Sequence, residues 1–265
     1  MKVLDHGYLT LVESWGSDEQ IIEAARMSTG KGFLGWGPTK TGENVTCCNC
    51  KGLGRVALHL QDLECPVCLG GGTVPEEKPC DEKLLRFLYE NQHHTPFEMA
   101  GVTVEVQAPI FVFREWHRHR VPFSYNEMSA RYTPLPNLNY VPTVERLLTS
   151  AGKNKQAAST GGTLTPFAAA AAVDSIDATY QLLEDRYQAL LLAGVPKELA
   201  RVILPVGRYS RMRASSNLRG WMNFLKLRAA PAAQFEIRAY AEALQNDLTA
   251  LFPRSMALFA EAQPK

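Results

Sequence analysis

The stretch Arg118-His119-Arg120-Val121-Pro122-Phe123-Ser124-Tyr125-Asn126-Glu127-Met128-Ser129-Ala130-Arg131-Tyr132 decides how the chain is read. Its fifteen residues hold three arginines, a histidine, a carboxylate, an amide and two serines. A segment that builds a core is not so polar, and a merely solvated face carries Lys and Glu more often than Arg, His, Asn and Tyr. Arg presents a rigid fork of donors that fits a phosphate or carboxylate edge, where Lys presents a mobile point charge. The residue content points to a pocket for a phosphorylated, planar, hydrogen-bonding ligand. The competing reading is a surface ion-pair network.

Around this stretch the composition is ordinary. With 265 residues, 46% hydrophobic and 21% charged, the chain suits one large domain or one domain with an insertion. A net charge of +1 argues against a dedicated nucleic-acid binder, which shows a strong basic excess. The start, Met1-Lys2-Val3-Leu4-Asp5-His6, lacks the apolar core of a signal peptide, and the run Phe167–Val173 is too short to span a bilayer. A soluble, cytoplasmic protein is expected.

All six cysteines lie between Cys47 and Cys80, where a secreted disulfide scaffold would spread them through the chain. Cys47-Cys48-Asn49-Cys50 and Cys65-Pro66-Val67-Cys68 are two Cys-x-x-Cys pairs separated by 14 residues, each followed by glycines. Two such pairs supply the four thiolates of a closed, structural zinc site at Cys47, Cys50, Cys65 and Cys68. The glycines permit positive φ, so backbone amides can turn toward the sulfurs. Four reduced, unligated thiols are the alternative. Residues 31–80 therefore read as an inserted zinc-knuckle segment within a single 1–265 domain.

The rest alternates helix and strand signals. Ser17 with Gln20 three residues on caps a helix running to Ser28, and Thr95-Pro96 with Glu98 reads as a capping box. Val102–Val106 alternates as a half-buried strand, and 108–117 reads as a buried helix that delivers Arg118 at its end. Residues 134–142 are extended, and 150–165 are a small, polar, mobile loop. A long amphipathic helix through Val173, Ile176, Tyr180, Leu183, Tyr187 and Leu190 stops at Gly194. A second arginine block spans Arg201 to Arg228. In it Arg219, Asn223 and Leu227 share one helix face, while Trp221, Met222, Phe224 and Leu225 crowd the others. Phe235 to Leu251 gives a closing helix.

Arg-His-Arg, eight residues, then Ser129 resembles the motif of the flavin-dependent thymidylate synthases, and the match continues through Ser129-Ala130-Arg131-Tyr132. Ala24-Ala25-Arg26-Met27-Ser28, the His93–Glu98 segment and Asn217-Leu218-Arg219…Asn223-Phe224-Leu225-Lys226-Leu227-Arg228 resemble further segments of that family. Three positions depart from it: Glu115 where the family usually has Gln, Met99 and Ala232 where it often has His. The Cys-x-x-Cys-x-Gly-x-Gly halves of the insertion resemble the zinc-binding repeats of J-domain co-chaperones. The insertion lies outside the resemblance to the synthases.

That resemblance implies an α+β fold with a mixed sheet and long helices, assembled as a homotetramer with active sites shared between subunits. It implies methylation of dUMP to dTMP, with carbon from methylenetetrahydrofolate and electrons from NADPH through FAD. Carried over by position, Ser28, Thr95, Arg118, His119, Arg120, Glu127, Asn217, Arg219 and Asn223 would hold the flavin. Glu115, Arg118, Ser129, Ala130, Arg131, Arg201 and Arg228 would hold dUMP, with Arg228 as the residue that stabilises charge on the ring. Flavin-free thymidylate synthases use a cysteine nucleophile, and every cysteine here lies in the insertion, which agrees with a route in which the cofactor carries the chemistry. The rival from another class is a zinc-knuckle nucleic-acid-binding or chaperone-like module, with the arginines gripping phosphates.

Overall fold

The computed structural model of the chain describes residues 1–37, 39–58, 61–78, 81–149 and 164–263. The expected loop at 150–165 lies outside them except for its last two residues. The chain forms two compact units, Met1–Asp18 with Phe97–Lys265, and Glu19–Pro96. In chain order the elements are β1 (Lys2–Val3), β2 (Gly7–Trp15), α1 (Asp18–Arg26), β3 (Thr39–Thr46), β4 (Arg55–Leu58), β5 (Gln61–Glu64), β6 (Thr73–Lys78), α2 (Asp81–Glu90), β7 (Gly101–Pro109) and α3 (Ile110–Trp116). There follow β8 (Ser124–Glu127), α4 (Val144–Leu148), α5 (Pro166–Leu192), α6 (Lys197–Ala200), β9 (Tyr209–Asn217), α7 (Leu218–Arg228), α8 (Phe235–Leu251) and α9 (Pro253–Glu261).

The larger unit is organised on a five-stranded sheet of order β1-β2-β7-β9-β8. The expected α+β class and long helices are present, but every pair in this sheet is antiparallel rather than mixed. The residue pattern gives the reason. On β7, Val102, Val104, Val106 and Ala108 are buried, whereas Thr103, Glu105 and Gln107 point to the opposite, more open face. On β9, Met212 and Ala214 are buried, whereas Arg211 and Arg213 are exposed. A sheet with one polar face suits antiparallel pairing, because parallel sheets are covered on both faces.

Helices α3, α7 and α8 cover the apolar face. Trp116, Trp221, Phe113, Phe224 and Tyr240 are fully buried there, and each such side chain contributes on the order of 2–3 kcal/mol through area removed from water. The polar atoms of two of them are matched to strand carbonyls: Trp221 Nε1 donates to Val102 at 3.0 Å, and Tyr240 Oη donates to Gln107 at 2.7 Å. Gly220 lets α7 approach the loop after the arginine motif, because a Cβ there would stand 2.7 Å from Pro122 Cδ. The long helix α5 opens at a Thr165 cap and ends before Gly194, whose φ of +83° turns the chain out of the helix.

The smaller unit contains α1, α2 and two antiparallel ribbons, β3 with β6 and β4 with β5. Its tightest polar junction is Asp81, fully buried at the start of α2. One carboxylate oxygen accepts from the Arg26 guanidinium, with Nε at 2.9 Å. The other accepts from the backbone amides of Leu34 and Gly35, at 2.6 and 3.1 Å.

Candidate active site and candidate metal centre

The arginine motif begins where α3 ends. The backbone amide of His117 closes the last helical turn on Phe113 at 2.8 Å, and the chain then turns through 118–120. Tyr125 Oη, on the returning strand β8, donates to the His119 carbonyl at 2.6 Å and lies 3.2 Å from that of Trp116. Phe123 packs edge-on to Trp221 at 4.7 Å between centroids, and the His119 ring packs against Phe224 at 4.9 Å. This aromatic base turns His119 inward and leaves Arg118 and Arg120 exposed. Neither arginine pairs with a carboxylate among the described residues. Exposed, uncompensated guanidiniums on a rigid turn suit a phosphate or pyrophosphate.

Arg228, at the last turn of α7, reaches back to this turn. Its Nε donates to His119 Nε2 at 2.9 Å, its Nη1 to the Glu115 carboxylate, and its Nη2 to the Glu115 carbonyl at 3.0 Å. Because Nε2 accepts, the proton of the neutral His119 ring resides on Nδ1. Burial, with the Arg228 charge second, holds the His119 pKa down at about 4. A groove of about 1130 Å3 opens alongside, lined among others by Glu115, Arg228, Arg146, Lys226, Phe235 and Arg238. It is large enough for a nucleotide-sized ligand.

Of the residues expected to hold a nucleotide, Arg131 and Arg201 both touch Glu198 in α6, Ser129 Oγ accepts from the Arg131 amide at 3.3 Å, and Ala130 is buried beside Ser129. Ser129 turns the chain, its carbonyl accepting from the Tyr132 and Thr133 amides at 3.0 and 3.2 Å. Arg131 Nε stands 3.4 Å from the Glu198 carboxylate, and Arg201 Nε donates to the Glu198 carbonyl at 3.3 Å. Glu198 thus lies within reach of both guanidiniums, a proximity nothing in the sequence pattern announces.

The expected flavin residues divide between the two units. Glu127 ends β8, opposite Met212 on β9. Asn217 is the N-cap of α7, and its Oδ1 accepts from the Gly220 amide at 2.9 Å, which orients the side chain and leaves its NH2 as a donor for a ligand. Arg219 is held by Glu98 at 2.5 Å, and Asn223 is exposed one turn further along. Ser28 and Thr95 belong to the smaller unit. Ser28 is exposed, its Oγ 3.4 Å from the Ala25 carbonyl. Thr95 opens a short 3-10 turn, Thr95–Glu98, instead of the helix expected from a capping box. The strand β7 begins three residues after this turn, and Glu98 turns to a guanidinium rather than to the backbone. Glu98 as the partner that orients Arg219 was missed for that reason.

The four predicted cysteines converge. Cys47, Cys50, Cys65 and Cys68 have sulfurs all within 4.8 Å of one another. Cys47 and Cys65 Sγ are 3.9 Å apart, and Cys50 and Cys68 Sγ are 3.6 Å apart. Four sulfurs around Zn at 2.3 Å are separated by about 3.8 Å, so the set fits a tetrahedral zinc. The two knuckles are built alike: Gly54 N donates to Cys50 Sγ and Gly72 N to Cys68 Sγ, each at 3.3 Å. Lys51 and Leu69 hold equivalent left-handed positions, at φ 51° and 49°. Asn49 donates to Cys65 Sγ at 3.2 Å and draws that thiol down to about 6, whereas burial pushes Cys68 up to about 11. Cys48 is exposed, and Cys80 lies outside the described residues.

The chain matches the family described as thymidylate synthase complementing protein over residues 10–254. It is 32% identical to a flavin-dependent thymidylate synthase of Wolbachia pipientis wMel, over 98% of this chain and 76% of that protein. It is 35% identical to one of Thermus thermophilus, over 98% of this chain and 77% of that protein. Among solved structures it resembles the UMP/dUMP methylase PolB of Streptomyces cacaoi bound with 5-Br UMP, with a TM-score of 0.71, 29% identity, and coverage of 98% of this chain and 96% of that one. Agreement of fold and sequence over nearly the whole chain leads to one conclusion: the chain belongs to the flavin-dependent thymidylate synthase family.

Proposed function

We propose that the protein catalyses the reductive methylation of dUMP to dTMP, with methylenetetrahydrofolate as carbon donor and NADPH as electron source. The observation that carries this reading is the convergence of Arg228, His119 and Glu115 beside the exposed Arg118 and Arg120, in a chain of this family. Bound FAD would supply the redox chemistry. Arg118, Arg120, Arg219 and Asn223 have the free or pre-oriented donors that a pyrophosphate and a hydrogen-bonding ring require. Asn217 offers its amide and Glu127 ends β8, and the family resemblance adds Ser28 and Thr95 of the smaller unit to the expected flavin contacts.

Arg131 and Arg201, which both touch Glu198, and the Ser129 hydroxyl, which accepts from the Arg131 amide, suit the phosphate end of dUMP. Arg228 suits the ring end: a fixed cation stabilises negative charge as it develops on the pyrimidine. His119, neutral at working pH, accepts from Arg228 and does not compete with it for charge.

The Cys47, Cys50, Cys65 and Cys68 cluster holds one zinc with a structural role, since four sulfurs leave no open position for substrate. The enzyme works as a cytoplasmic homotetramer, as the family resemblance implies. Among the described residues no helix is long and apolar enough to cross a membrane. The reading is tested by mixing purified protein with dUMP, methylenetetrahydrofolate and NADPH. A flavin band bleached by NADPH and dTMP as product are expected; absence of both would return the chain to the binding-module reading.

A further inference from the structure

The two cysteine knuckles are near copies of one another. The first lies between β3 and β4, the second between β5 and β6. Each opening cysteine donates its backbone amide to the last glycine of the other knuckle: Cys47 N to the Gly72 carbonyl at 2.9 Å, and Cys65 N to the Gly54 carbonyl at 2.8 Å. Each closing cysteine accepts from the last glycine of its own knuckle, Cys50 Sγ from Gly54 and Cys68 Sγ from Gly72. This pattern maps onto itself when the knuckles are exchanged.

One donor breaks the symmetry. Asn49, the residue before Cys50, reaches across and donates Nδ2 to Cys65 Sγ at 3.2 Å. The equivalent residue before Cys68 is Val67, which has no donor to give. Among the described residues, N–H groups thus reach Cys50, Cys65 and Cys68 but not Cys47. A coordinated thiolate only accepts, and a donor aimed at it fixes where the sulfur stands; such outer contacts govern how tightly a metal is held. Asn49 is itself exposed, so replacing it leaves the small core of the knuckles in place.

We propose that Asn49 is a positioning residue for the metal, and that it makes the site unequal: Cys65 is the ligand held fast, and Cys47 is the ligand at which metal is lost. The inference rests on the zinc reading above. Release begins when one metal–sulfur bond opens and water takes the vacated position. That step is easiest at the sulfur that breaks no further hydrogen bond as it swings away.

The test uses the full chain loaded with zinc, or with cobalt as an absorbing probe of the same thiolates, and follows metal transfer to a chromogenic chelator. Asn49→Ala is expected to release metal about tenfold faster than wild type. Val67→Asn, which supplies the missing donor on the Cys47 side, should slow release about threefold or more. In the cobalt form the sulfur-to-metal charge-transfer band should move to longer wavelength in Asn49→Ala, because a thiolate relieved of its donor gives up an electron more easily. It should move to shorter wavelength in Val67→Asn. Limited alkylation of the zinc form, in a Cys48→Ser background that removes the exposed thiol, should label Cys47 before Cys65, and the order should fade in Asn49→Ala. An unchanged release rate and band in Asn49→Ala would overturn the role of Asn49. Labelling of Cys65 first, or no slowing in Val67→Asn, would overturn the order of ligand loss. A wild type that binds neither metal would remove the zinc reading and this inference together, whereas a metal-loaded wild type matched by Asn49→Ala sinks the inference alone.

Discussion

The buried Asp81 carboxylate grips the Arg26 guanidinium through Nε and Nη2, and so ties the end of α1 to the start of α2. The same carboxylate holds the amides of Leu34 and Gly35, shortly before the strand that leads into the cysteine knuckles. Removing it leaves a cation and two amides without their acceptor. Asp81→Ala should therefore cost about 3–5 kcal/mol, the range for breaking one partner out of a buried pair. Hydrogen exchange should lose protection locally, at residues 26–35 and the first turn of α2. An exchange pattern equal to wild type would show that the junction is replaceable.

Glu98 should govern flavin retention through Arg219. The two side chains meet at 2.5 Å, and both are partly exposed, so the pair matters more for orientation than for stability. Glu98→Ala is expected to weaken flavin binding about tenfold, read as the ratio of flavin to protein absorbance after dilution. Thermal unfolding should barely change. Full flavin loading in Glu98→Ala would detach Arg219 from the cofactor.

Arg228→Ala should abolish dTMP formation and leave flavin loading intact. Arg228→Lys should rescue little, because an ammonium cannot donate to His119, to the Glu115 carboxylate and to its carbonyl from one plane. Near-normal turnover with Lys would remove the ring-polarising role.

His119 gives stability a defined pH dependence. Its folded value of about 4 lies below the ordinary 6.5, so as pH falls the unfolded chain takes up this proton first. The contribution is present above about pH 6.5, declines between about 6.5 and 4, and is gone below. Denaturant midpoints measured at pH 7 and pH 4.5 should fall further for wild type than for His119→Gln. Equal falls would place the acid sensitivity elsewhere.

The cysteine cluster should carry one zinc per chain. Binding must expel protons from thiols that titrate as far apart as Cys65 at about 6 and Cys68 at about 11, so zinc should be released on acidification. Cys65→Ser should lose the metal and open residues 44–75 to protease, because Cys47, Cys50, Cys65, Val56 and Val74 are nearly all the core these knuckles have. Metal analysis of protein purified without chelator checks the premise, and absence of zinc would overturn it.

Much of this protein is written locally. Period-two alternation marks β7, three-and-four spacing marks α5, α7 and α8, and Gly194 ends α5, because burying one face of a helix or strand imposes these spacings on the sequence. The two Cys-x-x-Cys knuckles are local too, since each pair and its glycines form one tight turn. The motif residues were legible as a ligand pocket because Arg, His, Asn and Ser in such density have no place in a core. What the sequence could not show is which carboxylate meets which guanidinium. Glu115 with Arg228, Glu98 with Arg219, and Asp81 with Arg26 join positions 113, 121 and 55 residues apart. No periodicity encodes such pairs: Glu98 reads as a helix cap until β7 and β9 bring Arg219 beside it. The direction of the sheet strands, the short strand β8 within the motif and the tautomer of His119 were likewise settled by packing. Side-chain charges choose partners only after the backbone has placed them, and that placement belongs to the tertiary structure.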